Sequence, residues 1–104
     1  MSQANLVKAD LTAAILNDIN LNQANLAKAT LSQATLVNAN LSEANLESAN
    51  LMGVNLSGAD LSKAKLSQAN LQDAIHDQGS DFAAATRFPK GFKPERAGAF
   101  LRNS

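Results

Sequence analysis

Residues 39–51 read ANLSEANLESANL, in which the triplet Ala-Asn-Leu recurs every five residues. The same unit continues in both directions, so that a leucine stands at every fifth position from residue 6 to residue 71. Alanine stands two residues before the leucine in twelve of these fourteen units, and Ile19 and Val54 replace it in the others. Repetition at a fixed short period is the sequence signature of a solenoid.

The period of five is incompatible with the regular secondary structures. In an α-helix the leucines would advance by about 140° from one to the next and would encircle the axis, leaving no apolar face. In one continuous strand, seventy residues at about 3.3 Å each would extend over more than 200 Å. We therefore expect the chain to bend once in every repeat.

The position of each residue within the repeat predicts whether it points inward. Alanine and leucine, two residues apart, point the same way in an extended segment. Asn or Asp usually stands between them and is typical of turns, and the two residues after the leucine are mostly polar. We predict that a structural core is formed by the leucines Leu6, Leu11, Leu16, Leu21, Leu26, Leu31, Leu36, Leu41, Leu46, Leu51, Leu56, Leu61, Leu66 and Leu71.

The pattern Ala-(Asn/Asp)-Leu-x-x resembles the pentapeptide-repeat family. It is seen here in Ala24-Asn25-Leu26, Ala39-Asn40-Leu41, Ala44-Asn45-Leu46 and Ala59-Asp60-Leu61. The resemblance covers residues 4–73 and implies an all-β solenoid, a right-handed quadrilateral β-helix in which four repeats complete one coil. In that family the leucine and the small residue two before it point inward. Fourteen repeats would make about three and a half coils.

If four repeats make a coil, residues twenty apart stack at the spacing of paired strands, about 4.8 Å. On this basis Glu43 lies under Lys63, and we predict an exposed ion pair between them. Lys8 and Lys28 stack as like charges. Asn5, Asn25 and Asn45 are predicted to form a column of amide side chains.

The C-terminal segment departs from the repeat. His76 occupies the place of a fifteenth leucine, so we divide the chain into an entry at 1–3, the repeats at 4–73 and a C-terminal cap at 74–104. Ser80-Asp81 before an alanine run predicts a helical turn. Proline at the start of 94–97 predicts a second one. The first coil is preceded by only three residues and is expected to be open, as an association surface or a seam with another domain.

The aromatic residues of the tail have two predicted uses. They are expected to cover the open end of the solenoid, because exposed leucines and unpaired backbone need a plug. Some members of the family pair through their C-terminal segments, which implies a homodimer contact as a second use. The residues predicted for the cap or this contact are Phe82, Phe88, Phe92, Phe100 and Leu101.

Composition narrows the class of partner. The chain has 104 residues with nine acidic and nine basic side chains, so a zero net charge removes the electrostatic argument for binding nucleic acid or an anionic membrane. It contains no cysteine, which excludes disulfides and thiolate metal sites. No signal-like or bilayer-spanning stretch is present, and we expect a cytoplasmic location.

The sequence predicts no catalytic, cofactor-binding or metal-binding residue. His76 is the only histidine, and neither a cysteine nor a Gly-x-Ser-x-Gly motif accompanies it as a nucleophile. Glu43 and Glu47 both fall at outward positions, where carboxylates are normally solvated. The protein is therefore not expected to be an enzyme or to need a cofactor.

The sequence bears on several non-enzymatic functions. The favoured prediction is a structural or protein-interaction module that presents flat solenoid faces to an unknown protein partner. The alternative is binding of a type II topoisomerase such as gyrase by DNA mimicry, which the short length and zero net charge disfavour. An ice-binding face would need stacked threonines, whereas Thr30 and Thr35 fall on adjacent faces. Disorder is opposed by the unbroken leucine register.

Overall fold

The fold is a coil of short sides joined by turns. The computed structural model describes residues 2–77 and 100–102. Two strands follow the last complete turn, β1 at Ile75–Asp77 and β2 at Phe100–Arg102. The described residues include no helix that is long and apolar enough to cross a membrane.

Each coil contains twenty residues. Parallel bridges join residues that are twenty apart, as in Asn5 with Asn25 and Ile15 with Thr35, and the pattern continues to Asn50 with Asn70. Because one bridge occurs in every five residues, a coil has four sides. This is the stacking that the four-sided coil of the family resemblance implied.

A regular hydrogen-bond lattice joins successive coils. The residue before each leucine directs both of its backbone groups toward the coil below: Asn25 N donates to Ala4 O at 2.8 Å, and Asn25 O accepts from Leu6 N at 2.7 Å. The alanine and leucine of a repeat direct the corresponding C=O and N–H groups toward the coil above. Successive coils therefore pair as parallel strands do.

A tight turn forms each corner. The backbone N–H of Ala9 donates to Leu6 O at 3.0 Å, and the same bond recurs in every repeat through Ala74. The third residue of each turn has a positive φ, as in Lys8 at 61° and Gly58 at 70°. β-Branched and aromatic residues are disfavoured in this conformation. This explains why the second residue after each leucine is never β-branched or aromatic.

The Asn or Asp before each leucine stabilises the turn that follows. Its side-chain oxygen accepts a hydrogen bond from the backbone N–H two residues later, as Asn40 Oδ1 does from Ser42 N at 3.0 Å. All ten Asn and Asp residues at this position in residues 4–73 make the bond. These are Asx turns, which supply an acceptor for a backbone donor at the corner.

The interior is filled by the leucine and alanine side chains. Ten of the predicted core leucines are at most 1% exposed, and Leu66 is 9% exposed. The leucines of the first coil, Leu6, Leu11 and Leu16, are only partly buried, as is Ile19. The core is thus closed in its middle coils and open at its N-terminal end.

The C-terminal end is extended by a returning strand. β1 adds one further side beyond residue 73, where the repeats were expected to end, and β2 pairs with it in parallel, with Ile75 opposite Phe100 and His76 opposite Leu101. Backbone pairing does not require a leucine. The parallel backbone pairing can therefore continue beyond the position at which the leucine repeat stops. The predicted helical turns at 80–85 and 94–97 lie outside the described residues, as do Phe82, Phe88 and Phe92.

Candidate interaction surfaces

The four sides of the solenoid give four outward faces, each named here by one of its residues. The Lys65 face comprises residues 4–8, 24–28, 44–48 and 64–68. The Met52 face comprises residues 9–13, 29–33, 49–53 and 69–73. The Ile15 face comprises residues 14–18, 34–38, 54–58 and 74–77. The Glu43 face comprises residues 2–3, 19–23, 39–43 and 59–63.

The Glu43 face carries a ladder of side-chain hydrogen bonds between coils. Gln3 Nε2 donates to Gln23 Oε1 at 3.0 Å, and Gln23 Nε2 donates to Glu43 Oε2 at 3.0 Å. The predicted ion pair between Glu43 and Lys63 is wrong, because the structure contains no such pair although the two residues occupy one column. The carboxylate instead accepts from the amide of the coil below.

A second set of hydrogen bonds lies beside this ladder. Asn22 Nδ2 donates to Ser42 Oγ at 2.6 Å and to Ser42 O at 3.0 Å. Ser42 Oγ in turn donates to Asn40 Oδ1 at 2.7 Å. Each member of the set bonds another, so these three side chains are held in defined conformations.

The Ile15 face is the most apolar of the four. Ile15 is 80% exposed, and Val37 in the next coil is half-buried. Thr35 Oγ1 is buried without a hydrogen-bond partner, and Ser57 is 5% exposed. Sequence reasoning did not single out Ile15, although an isoleucine in a position otherwise held by Asn, Asp, Thr or Lys was a signal that could have found it.

The two remaining faces carry opposite net charges. The Lys65 face has lysines at 8, 28 and 65 and one carboxylate at Glu47, whereas the Met52 face has Asp10 and Asp73 and no basic residue. Each also has one large apolar side chain that is exposed, Val7 at 41% and Met52 at 36%. The charges on the Met52 face lie at its two ends and do not form a cluster.

Asp10 is held in its ionised form by the neighbouring threonine. Its Oδ1 accepts from Thr12 Oγ1 at 2.7 Å and from Thr12 N at 3.1 Å. The hydroxyl bond first, and the backbone bond second, lower the pKa of the Asp10 carboxyl, since both stabilise the charged form. The aspartate acts here as a turn cap.

The predicted amide column takes a different form from the one expected. Asn5, Asn25 and Asn45 do stack on the Lys65 face, but each amide oxygen accepts from its own turn, at 3.3, 3.2 and 3.0 Å. The threonines do not stack on one another either. Thr30 stacks between Asp10 and Asn50, so neither of its neighbours in the column is a threonine.

The part of the chain that the structure describes contains no cluster of side chains suited to catalysis or metal binding. Within these residues, no group of three or more His, Cys, Asp or Glu side chains could hold a metal ion. His76 lies in β1, where its backbone pairs with Leu101 of β2. The surface therefore consists of flat faces with separate polar groups.

Comparison with known proteins assigns the chain to a family. A family model described as pentapeptide repeats (8 copies) matches residues 4–42 and 39–75. The chain belongs to the pentapeptide-repeat family, whose members form right-handed quadrilateral β-helices. No curated protein matches the sequence.

Solved structures of the same family resemble the fold. A pentapeptide repeat protein of Nostoc PCC 7120 is 28% identical with a TM-score of 0.52, and the match covers 96% of this chain and 86% of that one. Rfr23 of the cyanobacterium Cyanothece 51142 is 36% identical, with a TM-score of 0.69 and 90% of this chain covered. A protein of the Arabidopsis thaliana thylakoid lumen is 25% identical, with a TM-score of 0.70 and 92% covered. The chain spans 60% of the length of the last two.

Proposed function

We propose that the chain is a non-catalytic interaction module that presents its flat solenoid faces to a protein partner. The observation that carries this proposal is the order of the outer surface. Asx turns hold ten corners, and side-chain hydrogen bonds join successive coils on the Glu43 face. Side chains already held in one conformation lose little entropy on binding, which favours association.

The charges on the four faces make a protein the favoured partner. They suit neither the binding of nucleic acid nor the binding of a topoisomerase by DNA mimicry. The three lysines of the Lys65 face share it with Glu47 and border a net negative face, so no continuous basic strip is formed. The six carboxylates of residues 4–73 are spread over all four faces. This dispersion disfavours the alternative, topoisomerase binding by DNA mimicry, which needs a dense acidic array.

A scan with one substitution per face tests the proposal. Gln23, Lys28, Gln33 and Asn38 are the equivalent exposed positions of the four faces in the second coil, all at a positive φ near 60°. Gln23→Arg, Lys28→Glu, Gln33→Arg and Asn38→Arg would each be used to capture proteins from the native cytosol. We expect one variant to lose a specific protein that the other three retain.

Two outcomes would contradict the proposal. Capture of no specific protein by the unaltered chain would remove the basis for an interaction module. Equal loss in all four variants would show that binding does not use a face. A gyrase supercoiling assay is the parallel test of the alternative, and inhibition by the chain would favour DNA mimicry.

The helical cap, the homodimer through Phe100 and Leu101 and the cytoplasmic location stay predictions.

A further inference from the structure

Met52 is an exposed apolar side chain in the middle of the solenoid. The other large apolar side chains that are exposed, Val7 and Ile15, both lie in the first coil. Met52 lies in the third coil, where Gly53 N donates to Gln72 O above and Met52 O accepts from Gln33 N below. Its exposure therefore does not depend on an end of the solenoid. Burial of such a side chain by a partner is favourable.

The Gln33 side chain lies against Gly53, the residue after Met52. A Cβ atom on Gly53 would lie 2.6 Å from Gln33 Nε2 and 2.9 Å from Gln33 Cδ, so the amide fills the space of the missing side chain. The amide forms no hydrogen bond with any residue that the structure describes. Its N–H donors and its C=O acceptor match the C=O and N–H groups of a peptide backbone.

Carboxylates stand at both ends of the Met52 face. Asp10 is in the first coil and Asp73 in the fourth, three coils apart, or about 14 Å at the spacing of paired strands. The Asp10 carboxylate is held on this face by Thr12, whereas the nearby Lys8 belongs to the Lys65 face. The Met52 face has no basic residue of its own. It therefore combines an apolar side chain in its third coil with negative charge on either side.

We propose that the Met52 face binds an extended basic segment of a partner protein. One apolar side chain of the segment packs on Met52, and a basic side chain lies near each of Asp10 and Asp73. A segment that runs along the solenoid axis rises about 3.3 Å per residue, so basic residues about four to six positions apart reach both carboxylates. The Gln33 amide then faces the backbone of the segment. This assignment of a face and a partner chemistry rests on the proposed function as an interaction module.

Two other faces are unsuited to such a segment. On the Lys65 face the exposed Val7 is followed by Lys8, which repels a basic partner. On the Glu43 face the Gln23 amide already donates to the Glu43 carboxylate. The Ile15 face combines an exposed isoleucine with the carboxylate of Asp18 and is the alternative surface. The control variants below separate it from the Met52 face.

Titration with a synthetic peptide tests the proposal in the full chain. The peptide Lys-Ser-Ser-Ser-Leu-Ser-Lys, with both ends blocked, places its lysines six positions apart on one side of an extended segment. We expect a Kd of about 0.1 to 1 mM, since a short flexible peptide loses entropy on binding. Backbone amide shifts followed by NMR should change around Met52 and Gly53. The peptide with Glu in place of both Lys should bind about tenfold more weakly, and salt should weaken the basic peptide alone.

Substitutions of the acids and of Met52 identify the surface used. Asp10→Asn and Asp73→Asn should each raise the Kd about twofold to fivefold at low salt. Asn is the usual residue before a leucine and adopts positive φ readily, so both changes keep the turns. Asp18→Asn is the matched control on the Ile15 face. Met52→Ser should raise the Kd about fivefold to tenfold through lost apolar burial, whereas Val7→Ser should not change it.

A further variant tests the contribution of the Gln33 amide. Gln33 has a φ of 64°, which glycine adopts without strain, so Gln33→Gly removes the amide and keeps the corner. It should raise the Kd about twofold to tenfold, as loss of a hydrogen bond does. Asn38→Gly, the equivalent change on the Ile15 face, should leave the Kd unaltered.

Several results would overturn the proposal. These are no binding at peptide concentrations far above the expected Kd, amide shifts centred on another face, and equal binding of the Glu peptide. An effect of Asp18→Asn as large as that of Asp10→Asn would assign the site to the Ile15 face instead. Circular dichroism and thermal unfolding of each variant should match the unaltered chain.

The peptide titration and the scan of the four faces fail separately. A protein captured from the cytosol that is lost in Asn38→Arg and retained in Gln33→Arg would support the interaction module and overturn its assignment to the Met52 face. Capture of no protein would remove the module as the proposed function. The peptide titration would then still decide, by itself, whether the Met52 face binds a basic segment.

Discussion

The Asn17 side chain caps a turn that belongs to the coil above it: its Oδ1 accepts a hydrogen bond from Val37 N at 3.0 Å. The repeat that contains Val37 has Thr35 where most repeats have Asn or Asp, and Thr35 Oγ1 makes no bond. The missing local acceptor is thus replaced by a side chain from the neighbouring coil. At this corner, the capping of the turn is therefore shared between two coils.

The cap from Asn17 should be replaceable by a local one. Asn17→Ala should lower the free energy of unfolding by about 1 kcal/mol, the contribution of a typical hydrogen bond. Thr35→Asn would supply an acceptor within the repeat, so the same Asn17→Ala change should cost less in that background. Chemical denaturation of the four members of this cycle measures the difference. An equal cost in both backgrounds would contradict the shared cap.

Substitution of a central leucine should separate the inside of the coil from the outside. Leu36 is completely buried, and Leu36→Ala should lower the free energy of unfolding by about 2 to 5 kcal/mol through lost burial and a cavity. Ser32→Ala and Gln33→Ala should change it by about 0.5 kcal/mol or less, as surface substitutions do. Thermal and chemical unfolding measure both. Equal effects would be incompatible with the observed burial.

A β-branched residue should not be tolerated at a corner. Lys28 is exposed, with a φ of 62°. Lys28→Val should lower the free energy of unfolding by about 1 kcal/mol, a typical cost for one substitution, because branching at Cβ makes this conformation less favourable for valine than for lysine. Lys28→Asn is the control, since Asn adopts positive φ readily, and it should be almost neutral. If denaturation shows the two variants to be equally stable, backbone conformation is not the constraint at this position.

The titration of Asp10 should depend on the Thr12 hydroxyl. Thr12→Val removes the stronger of the two causes that lower the pKa of the Asp10 carboxyl, so that pKa should rise toward its ordinary value. A carboxyl with a lowered pKa in the folded state stabilises the fold above its unfolded pKa. That stabilisation is lost as the pH falls through the folded pKa. The acid-induced loss of stability should therefore be smaller in Thr12→Val.

Carboxyl chemical shifts followed by NMR across the acidic range would measure this pKa directly. Thr30→Val is the matched control, because Thr30 stacks on Asp10 without a hydrogen bond to its carboxylate. An unchanged Asp10 pKa in Thr12→Val, or an equal rise in Thr30→Val, would rule out the hydroxyl as its cause.

Deletion of twenty residues should keep later residues on their own faces, whereas deletion of five residues should not. Removing residues 21–40 joins Asn20 to Leu41, which preserves the repeat and keeps every later residue on its own face. Removing residues 21–25 also preserves the repeat but moves each later residue to a neighbouring face. Spin labels on cysteines at Lys8 and Gln68, on one column of the Lys65 face, report the difference.

The larger deletion should shorten the distance between the labels by one coil, about 4.8 Å. The smaller deletion should move the second label to a neighbouring face. The distance between the two labels should therefore change by a different amount than in the larger deletion. The chain has no native cysteine, so the labels report only these positions. Identical distances in the two deletions would contradict a four-sided coil.

The interior was the part of the molecule most open to prediction. Leu36 and Leu41 point inward because a five-residue period allows no other way to bury leucine, whatever residues lie outside. The family resemblance supplied the four sides, and the bridge between Asn25 and Asn45 agrees with them. The preference for Asn before each leucine is typical of turns, and Asn40 shows the hydrogen bond responsible for it.

The surface was less predictable, because long polar side chains choose among several partners. Glu43 has Gln23 below it and Lys63 above it, and the sequence does not rank them. Opposite charge suggested Lys63, but an exposed ion pair contributes little, whereas the Gln23 amide is itself held by Gln3. The outcome depends on the side-chain conformations of three coils at once.

The sequence by itself determined the repeat and the inward direction of its leucines, because both follow from a local period and the need to bury apolar side chains. The stacking of residues twenty apart followed from the four-sided coil that the family resemblance implies. Only the tertiary structure decided which ends are closed. β2 pairs with β1 at an offset of twenty-five residues, between Ile75 and Phe100, where the repeat would have given twenty. No local period encodes that offset, since it depends on the return of the chain from a distant segment to an unpaired edge.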